Sequence, residues 1–172
     1  AESLRFTGKV LAARIVQVAD WWFASITVEL PDRTVLSHSG GAIGVDLGIN
    51  HLLTLSDGSV LENQKPLRKH QQKLKRLQRS LSRKQKDSKN REKARRKLAR
   101  EHYRITCIRD DILHKATTAL TREYAFIAIE TLHVKGMMQN HCLAQALADV
   151  ALGRFKALLL DKAHSTGTVV VQ

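Results

Sequence analysis

The chain has 172 residues, enough for one domain with a hydrophobic core, and 43% of them are hydrophobic. Its 29 Lys and Arg against 16 Asp and Glu give a net charge of +13. A balance this basic favours a polyanionic partner, nucleic acid before a membrane. Two cysteines without a CxxC pair argue against a disulfide framework and a zinc site, and the sequence has no run of 18 apolar residues that would predict a membrane span.

Two apolar–polar alternating runs, 9–16 and 21–29, predict a two-stranded antiparallel hairpin near the N-terminus. Trp22 lies on the apolar face of the second run, and we expect it to belong to a core. The alternative for Trp22 and its neighbour Trp21 is stacking on nucleic-acid bases.

A cluster of serine and glycine at 37–41 predicts a linker. We therefore expect a β segment at residues 1–40 and a second domain at residues 41–172. The chain begins at Ala1 rather than Met and ends in the strand-like run 169–171, and we expect it to be a fragment of a longer protein.

The apolar run 42–45 leads to Asp46 and then to a turn at Leu47 and Gly48, which predicts a buried strand that carries a carboxylate. Such a carboxylate needs a metal ion or a basic side chain beside it. The alternative is a strand-end aspartate that takes backbone hydrogen bonds in the turn. The runs 51–55 and 60–62, joined by tight turns, complete an antiparallel meander.

Residues 65–104 carry 18 basic and three acidic side chains, a net charge of +15. Four leucines between positions 67 and 81 share a helical face, residues 82–90 break that pattern, and a second helix is predicted from 91 to 124 on the stripe Leu98, Ile105, Ile112 and Ala119. A hairpin of one sign favours a polyanion over a merely solvated surface.

Scarce aromatic residues in this insertion, which we bound at 65–124, favour contact with the phosphate backbone rather than with bases. A further lysine in the loop after the next strand could also reach a phosphate. The residues predicted to bind nucleic acid are Lys69, Lys73, Arg76, Arg79, Arg83, Lys84, Arg91, Arg95, Arg96, Lys97, Arg100 and Lys135.

A second acid ends the apolar run 124–129, at Glu130. Because a helix precedes this strand, a crossover would place it parallel to an existing strand; beside the Asp46 strand, the two acids would be neighbours. Two such carboxylates favour a Mg²⁺ or Mn²⁺ site for phosphoryl chemistry, with both acids as metal ligands and catalytic residues. Two unrelated strand-end acids are the alternative.

The remaining elements are a helix at 143–164, ended near Gly167, and a strand at 168–171. Together these elements predict a mixed α/β fold: an RNase H-like, RuvC-like sheet with an inserted basic helical hairpin, preceded by a short β segment.

Five features in order resemble the TnpB (OrfB) family, transposon-encoded RNA-guided DNA endonucleases with a RuvC-like domain. They are Gly44-Val45-Asp46-Leu47-Gly48, the basic insertion, Ile129-Glu130-Thr131-Leu132, Asn140-His141 and Ala148-Asp149. The resemblance implies a metal-dependent endonuclease whose first two catalytic acids are Asp46 and Glu130. It also implies DNA and guide-RNA partners, a place in the bacterial or archaeal cytoplasm at the nucleoid, and a β-barrel before residue 40.

Two departures weaken the match: Thr131 stands where the family has an aspartate, and Leu152 where it has a tryptophan. The family's zinc ribbon and third catalytic aspartate would lie after the last residue, so we expect no zinc site within this chain and little or no cleavage by it alone. The alternatives are a non-catalytic DNA- or RNA-binding module and an actin-like ATPase. The ATPase would need a second Asp-x-Gly phosphate loop, which this sequence lacks.

Overall fold

The computed structural model describes residues 8–29, 38, 40–131, 146–147 and 149–172. Lys135, the Asn140-His141 motif and the start of the predicted helix at 143 lie outside the described residues. The elements, in chain order, are β1 (Lys9–Val18), β2 (Trp21–Glu29), β3 (Gly40–Leu47), β4 (His51–Leu55), β5 (Val60–Glu62), α1 (Pro66–Ser82), α2 (Lys89–Glu123), β6 (Tyr124–Ile129), α3 (Leu152–Thr166) and β7 (Val169–Val171).

One compact unit comprises residues 1–34 and 72–104. In it β1 and β2 pair antiparallel, as predicted, with a bulge between Val10 and Ala12. The prediction that Trp22 belongs to a core is wrong, because its side chain is 68% exposed. Strand alternation fixes which residues share a face but not whether a second layer covers that face.

The parts of α1 and α2 in this unit pack through small and aliphatic side chains, with Leu74 and Ala94 buried. The connection between them lies within the predicted break at 82–90. Ser88 caps α2, since its Oγ accepts the N–H of Arg91 at 3.1 Å.

The second unit comprises residues 35–71 and 105–172 and contains a five-stranded sheet of order β5-β4-β3-β6-β7. Strands β3, β4 and β5 form the predicted antiparallel meander, and β6 pairs parallel with both β3 and β7. The predicted mixed α/β class is therefore confirmed, with the layout of an RNase H-like fold.

One face of this sheet carries the core of the unit. Buried aliphatic residues of β3, β4 and β6 pack with residues of the C-terminal half of α2, with Leu147 and Val150, and with Leu152, Phe155, Leu158 and Leu159 of α3. On the opposite face Phe126 remains 52% exposed.

The stripe predicted for the long helix is partly wrong. Ile105 is buried, but Ala119, two heptads further on, is exposed, and Leu113 and Thr117 are buried instead. An α-helix has 3.6 residues per turn, so a strict seven-residue series drifts by about 20° per heptad and leaves the buried side.

The C-terminal helix is also not continuous. Ala151 adopts the left-handed conformation (φ 53°), so helical residues 146–147 and 149–150 are separated from α3. A non-glycine residue in this conformation costs roughly 1–2 kcal/mol, and burial of Leu152 and Phe155 after the break offsets that cost. Gly167 (φ 80°) ends α3 as predicted and donates its N–H to the Ala163 carbonyl at 2.9 Å.

Candidate active site and nucleic-acid interface

The two predicted catalytic acids follow paired positions of neighbouring parallel strands. Strand β3 pairs with β6 from Gly40 and Tyr124 to Val45 and Ile129. Val45 and Ile129 are 3% and 5% exposed, and the next residue on each strand faces the other side of the sheet. Continuing the register by one residue brings Asp46 and Glu130 to neighbouring positions on that side.

Both carboxylates are exposed, contrary to the expectation that Asp46 lies in a buried strand. The strand is buried on one face only, and its period of two turns Asp46 to the other. The cost of burying a charge therefore gives no reason for a partner here. Exposure instead leaves both carboxylates accessible to a cation from solvent.

A tight turn follows Asp46 directly. A Cβ at Gly48 would lie 2.8 Å from the carbonyl oxygen of His51, so a residue with a side chain would displace the backbone of β4. Asp46 itself pairs with Thr54 of β4. These contacts fix the end of β3 that carries the acid.

The donor set suits a hard cation but is small. Carboxylate oxygens are the ligands that Mg²⁺ and Mn²⁺ prefer, and Mg²⁺ is commonly held by one or two carboxylates together with waters and substrate phosphates. Within the described part of the chain no group of three or more His, Cys, Asp or Glu is placed to hold a metal ion. His51, close in sequence to Asp46, contacts Glu62 instead (Nδ1 to Oε1, 3.0 Å).

Eleven of the twelve residues predicted to bind nucleic acid are described, and four of them have intramolecular partners. Lys73 Nζ lies 2.5 Å from Glu101, Arg96 pairs with Glu92, and Arg100 pairs with Asp20. The guanidinium of Arg91 donates to the carbonyls of Leu81 (3.3 Å) and Lys84 (3.1 Å), which satisfies the end of α1. The other seven are exposed: Lys69, Arg76, Arg79, Arg83, Lys84, Arg95 and Lys97.

The Arg100–Asp20 pair joins α2 to the β1–β2 turn in the first unit. Hydrogen bonds from Arg100 hold the pKa of Asp20 below its ordinary value, and the same pair raises the pKa of Arg100. Arg100 thus serves the packing of this unit.

Asp149 has a role that sequence reasoning missed. It is 4% exposed, and its carboxylate accepts the N–H of Leu67 at 2.9 Å and of Arg68 at 3.1 Å, in the first turn of α1. That turn contains no acidic residue of its own, which was the available signal. The capping residue lies 82 positions away, so local patterns could not find it.

The sheet order, the parallel acid-bearing strands and the inserted helices define an RNase H-like mixed α/β protein. The family model OrfB_IS605, described as "Probable transposase", matches residues 25–141. The chain belongs to this family, the TnpB/OrfB family. This membership leaves the actin-like ATPase alternative without support.

Two relatives have names that describe an activity. The chain is 43% identical over 150 residues to a "Putative RNA-guided DNA endonuclease" of Streptomyces pristinaespiralis, covering 87% of this chain and 37% of the relative. It is 43% identical over 138 residues to "Putative RNA-guided DNA endonuclease InsQ" of Escherichia coli (strain K12), covering 80% and 34%. The chain thus spans about a third of the length of these relatives. No helix in the described ranges is long and apolar enough to cross a bilayer.

Proposed function

We propose that this chain supplies the first two metal-binding acids, Asp46 and Glu130, and a nucleic-acid-binding hairpin to an RNA-guided DNA endonuclease. The parallel register that ends at Val45 and Ile129 carries the proposal, because it makes the two acids neighbours on one side of the sheet. The names of the relatives support the substrate class.

Asp46 and Glu130 would hold Mg²⁺ or Mn²⁺ through their carboxylate oxygens. When bound, such an ion polarises a phosphoryl oxygen and helps water to attack it. The residues of the chain orient the two carboxylates: the β3–β6 ladder aligns the strands, and the close approach of Gly48 to His51 fixes the turn after Asp46.

The hairpin would bind DNA and guide RNA through phosphates. Its seven exposed cations without an intramolecular role, named above, are the main candidates, and Lys69 and Arg76 on α1 are examples. Each phosphate contact releases counterions, so the affinity should fall steeply with salt.

The site has two carboxylates, and we propose that the chain alone cleaves weakly or not at all. A second candidate, a DNA- or RNA-binding module without catalysis, is favoured by the absence of a three-ligand cluster in the described ranges. The two candidates differ in whether the acids bind metal.

A nicking assay tests the catalytic part. The purified chain is incubated with supercoiled DNA and Mg²⁺ or Mn²⁺, beside Asp46→Ala and the surface control Asp161→Asn. We expect nicking at or near background in all three. Robust nicking by the chain and by Asp161→Asn, lost in Asp46→Ala, would contradict the proposed incompleteness while supporting the role of Asp46.

Salt dependence tests the hairpin. Replacing Arg95, Arg96 and Lys97 with Gln should reduce the slope of log affinity against log salt by about 2–3, about one for each lost phosphate contact. A matched control removes two arginines and one lysine outside residues 65–104: Lys115, Arg122 and Arg154 to Gln. Equal slopes for the two triple variants would place the contact elsewhere.

A further inference from the structure

A cleft of about 310 Å³ lies beside the first turn of α1, in the unit that contains the five-stranded sheet. Its walls are the β3–β4 turn at Ile49 and Asn50, the loop before α1, the start of α1, and helical residues 146 and 149. Ile49 and Asn50 follow Asp46 by three and four residues. The cleft is therefore at the end of β3 that carries the proposed metal ligand.

Two polar residues hold the walls in place. Asn63 donates its side-chain amide to the Ile49 carbonyl at 2.8 Å and accepts the N–H of Lys65 at 3.0 Å, which ties the β3–β4 turn to the loop before α1. Asp149 uses both carboxylate oxygens on backbone N–H groups of α1. Its negative charge is thereby directed to the helix terminus.

The remaining polar groups favour an anion. Lys65 and Arg68 line the cleft with the amide of Asn50, and in the described part of the chain no ion pair engages either cation. Arg and Lys beside amide donors are the groups that bind phosphate oxygens. Ile49 and Ala146 add apolar surface that a sugar or base can cover.

The size of the cleft limits the ligand. Small-molecule sites usually have volumes of about 300–1,000 Å³, and this cleft is at the lower end of that range. We infer that it binds one nucleotide of a single-stranded polynucleotide, with a phosphodiester against Lys65 and Arg68. The inference rests on the proposed function, since it places a strand next to the end of β3 that bears Asp46.

Nuclear magnetic resonance with the dinucleotides pTpT and pUpU tests this site. The titrations contain EDTA, so that binding does not depend on a metal at Asp46 and Glu130. We expect the side-chain amide signal of Asn50 to shift. The double variant Lys65→Gln/Arg68→Gln should raise the Kd about tenfold or more, because two charge-assisted contacts are lost.

A matched control removes one lysine and one arginine of the same unit outside the cleft, Lys115→Gln/Arg122→Gln, and should change the Kd less than twofold. A second test variant, Asn50→Asp, leaves α1 untouched and should weaken binding several-fold through repulsion of the phosphate. It keeps the inference testable if the substitution of Arg68 disturbs the helix.

Three results would overturn the inference: no shift of Asn50, an equal Kd for the Lys65/Arg68 and control variants, or equal affinity for inorganic phosphate. Tighter binding of pTpT assigns the cleft to DNA, and tighter binding of pUpU to RNA; both support it. If the cleft fails while metal binding still depends on Asp46, the proposed function stands. If the cleft binds and no metal binds at Asp46, the proposed function fails alone.

Discussion

Replacing Asp149 tests how α1 is attached to its unit. Its carboxylate, 4% exposed, accepts N–H groups of Leu67 and Arg68 at 2.9 and 3.1 Å. Removing a helix-capping acceptor costs about 0.5–2 kcal/mol, and a hydrogen bond to a charged group contributes about 1.5–3 kcal/mol. Both N–H groups lose their acceptor together, so Asp149→Ala should lower the free energy of unfolding by about 2–3 kcal/mol.

Asp149→Asn separates charge and acceptor number from shape. The amide keeps one acceptor oxygen but turns an NH₂ donor toward the other N–H, so we expect a loss of about 1–2 kcal/mol. The surface variant Asp161→Ala should stay within about 0.5 kcal/mol of the parent.

Urea denaturation followed by circular dichroism gives the free energies, and hydrogen exchange at the amides of Leu67 and Arg68 localises the effect. Exchange at these two amides should accelerate in Asp149→Ala before other amides of α1 change. If Asp149→Ala unfolds within 0.5 kcal/mol of the parent with unchanged protection at both amides, Asp149 does not cap the helix in solution.

Two further predictions concern other termini and turns. Gly167→Ala should cost about 1 kcal/mol, because its φ of 80° is left-handed, whereas Gly153→Ala, with nothing within 4 Å of the new Cβ, should be neutral or stabilise α3; thermal melts compare the two. The lowered pKa of Asp20 means that its pair with Arg100 stabilises the first unit above the unfolded-state pKa and is lost as pH falls through the lower folded-state pKa, so tryptophan fluorescence should show an acid-induced change only below about pH 4, absent in Asp20→Asn. A change centred near neutral pH, or one that persists in Asp20→Asn, would refute the second prediction.

Local patterns predicted the elements well. The strand His51–Leu55 begins and ends as expected, and α2 begins two residues before the predicted start. These elements are short-range features, set by alternation, turn residues and caps within a few positions. The parallel β3–β6 pairing also followed from sequence, because a helix between two strands requires a crossover.

The misses share a physical origin in long-range packing. Asp46 and Trp22 were expected inside and are exposed, since alternation does not show which face another layer covers. The cap by Asp149 joins residues 82 apart, and the left-handed Ala151 is selected by the packing of the segments on either side. The roles of the candidate site residues stay predictions, to be decided in solution.

The most direct test of the account is residue-resolved Mn²⁺ binding. Paramagnetic broadening is measured for the parent, Asp46→Asn and the control Asp161→Asn. The account predicts that the signals of Asp46 and Glu130 broaden first in the parent and in Asp161→Asn, and that this broadening is lost in Asp46→Asn. Broadening that begins at other carboxylates, or that is unchanged in Asp46→Asn, would contradict a metal site between β3 and β6.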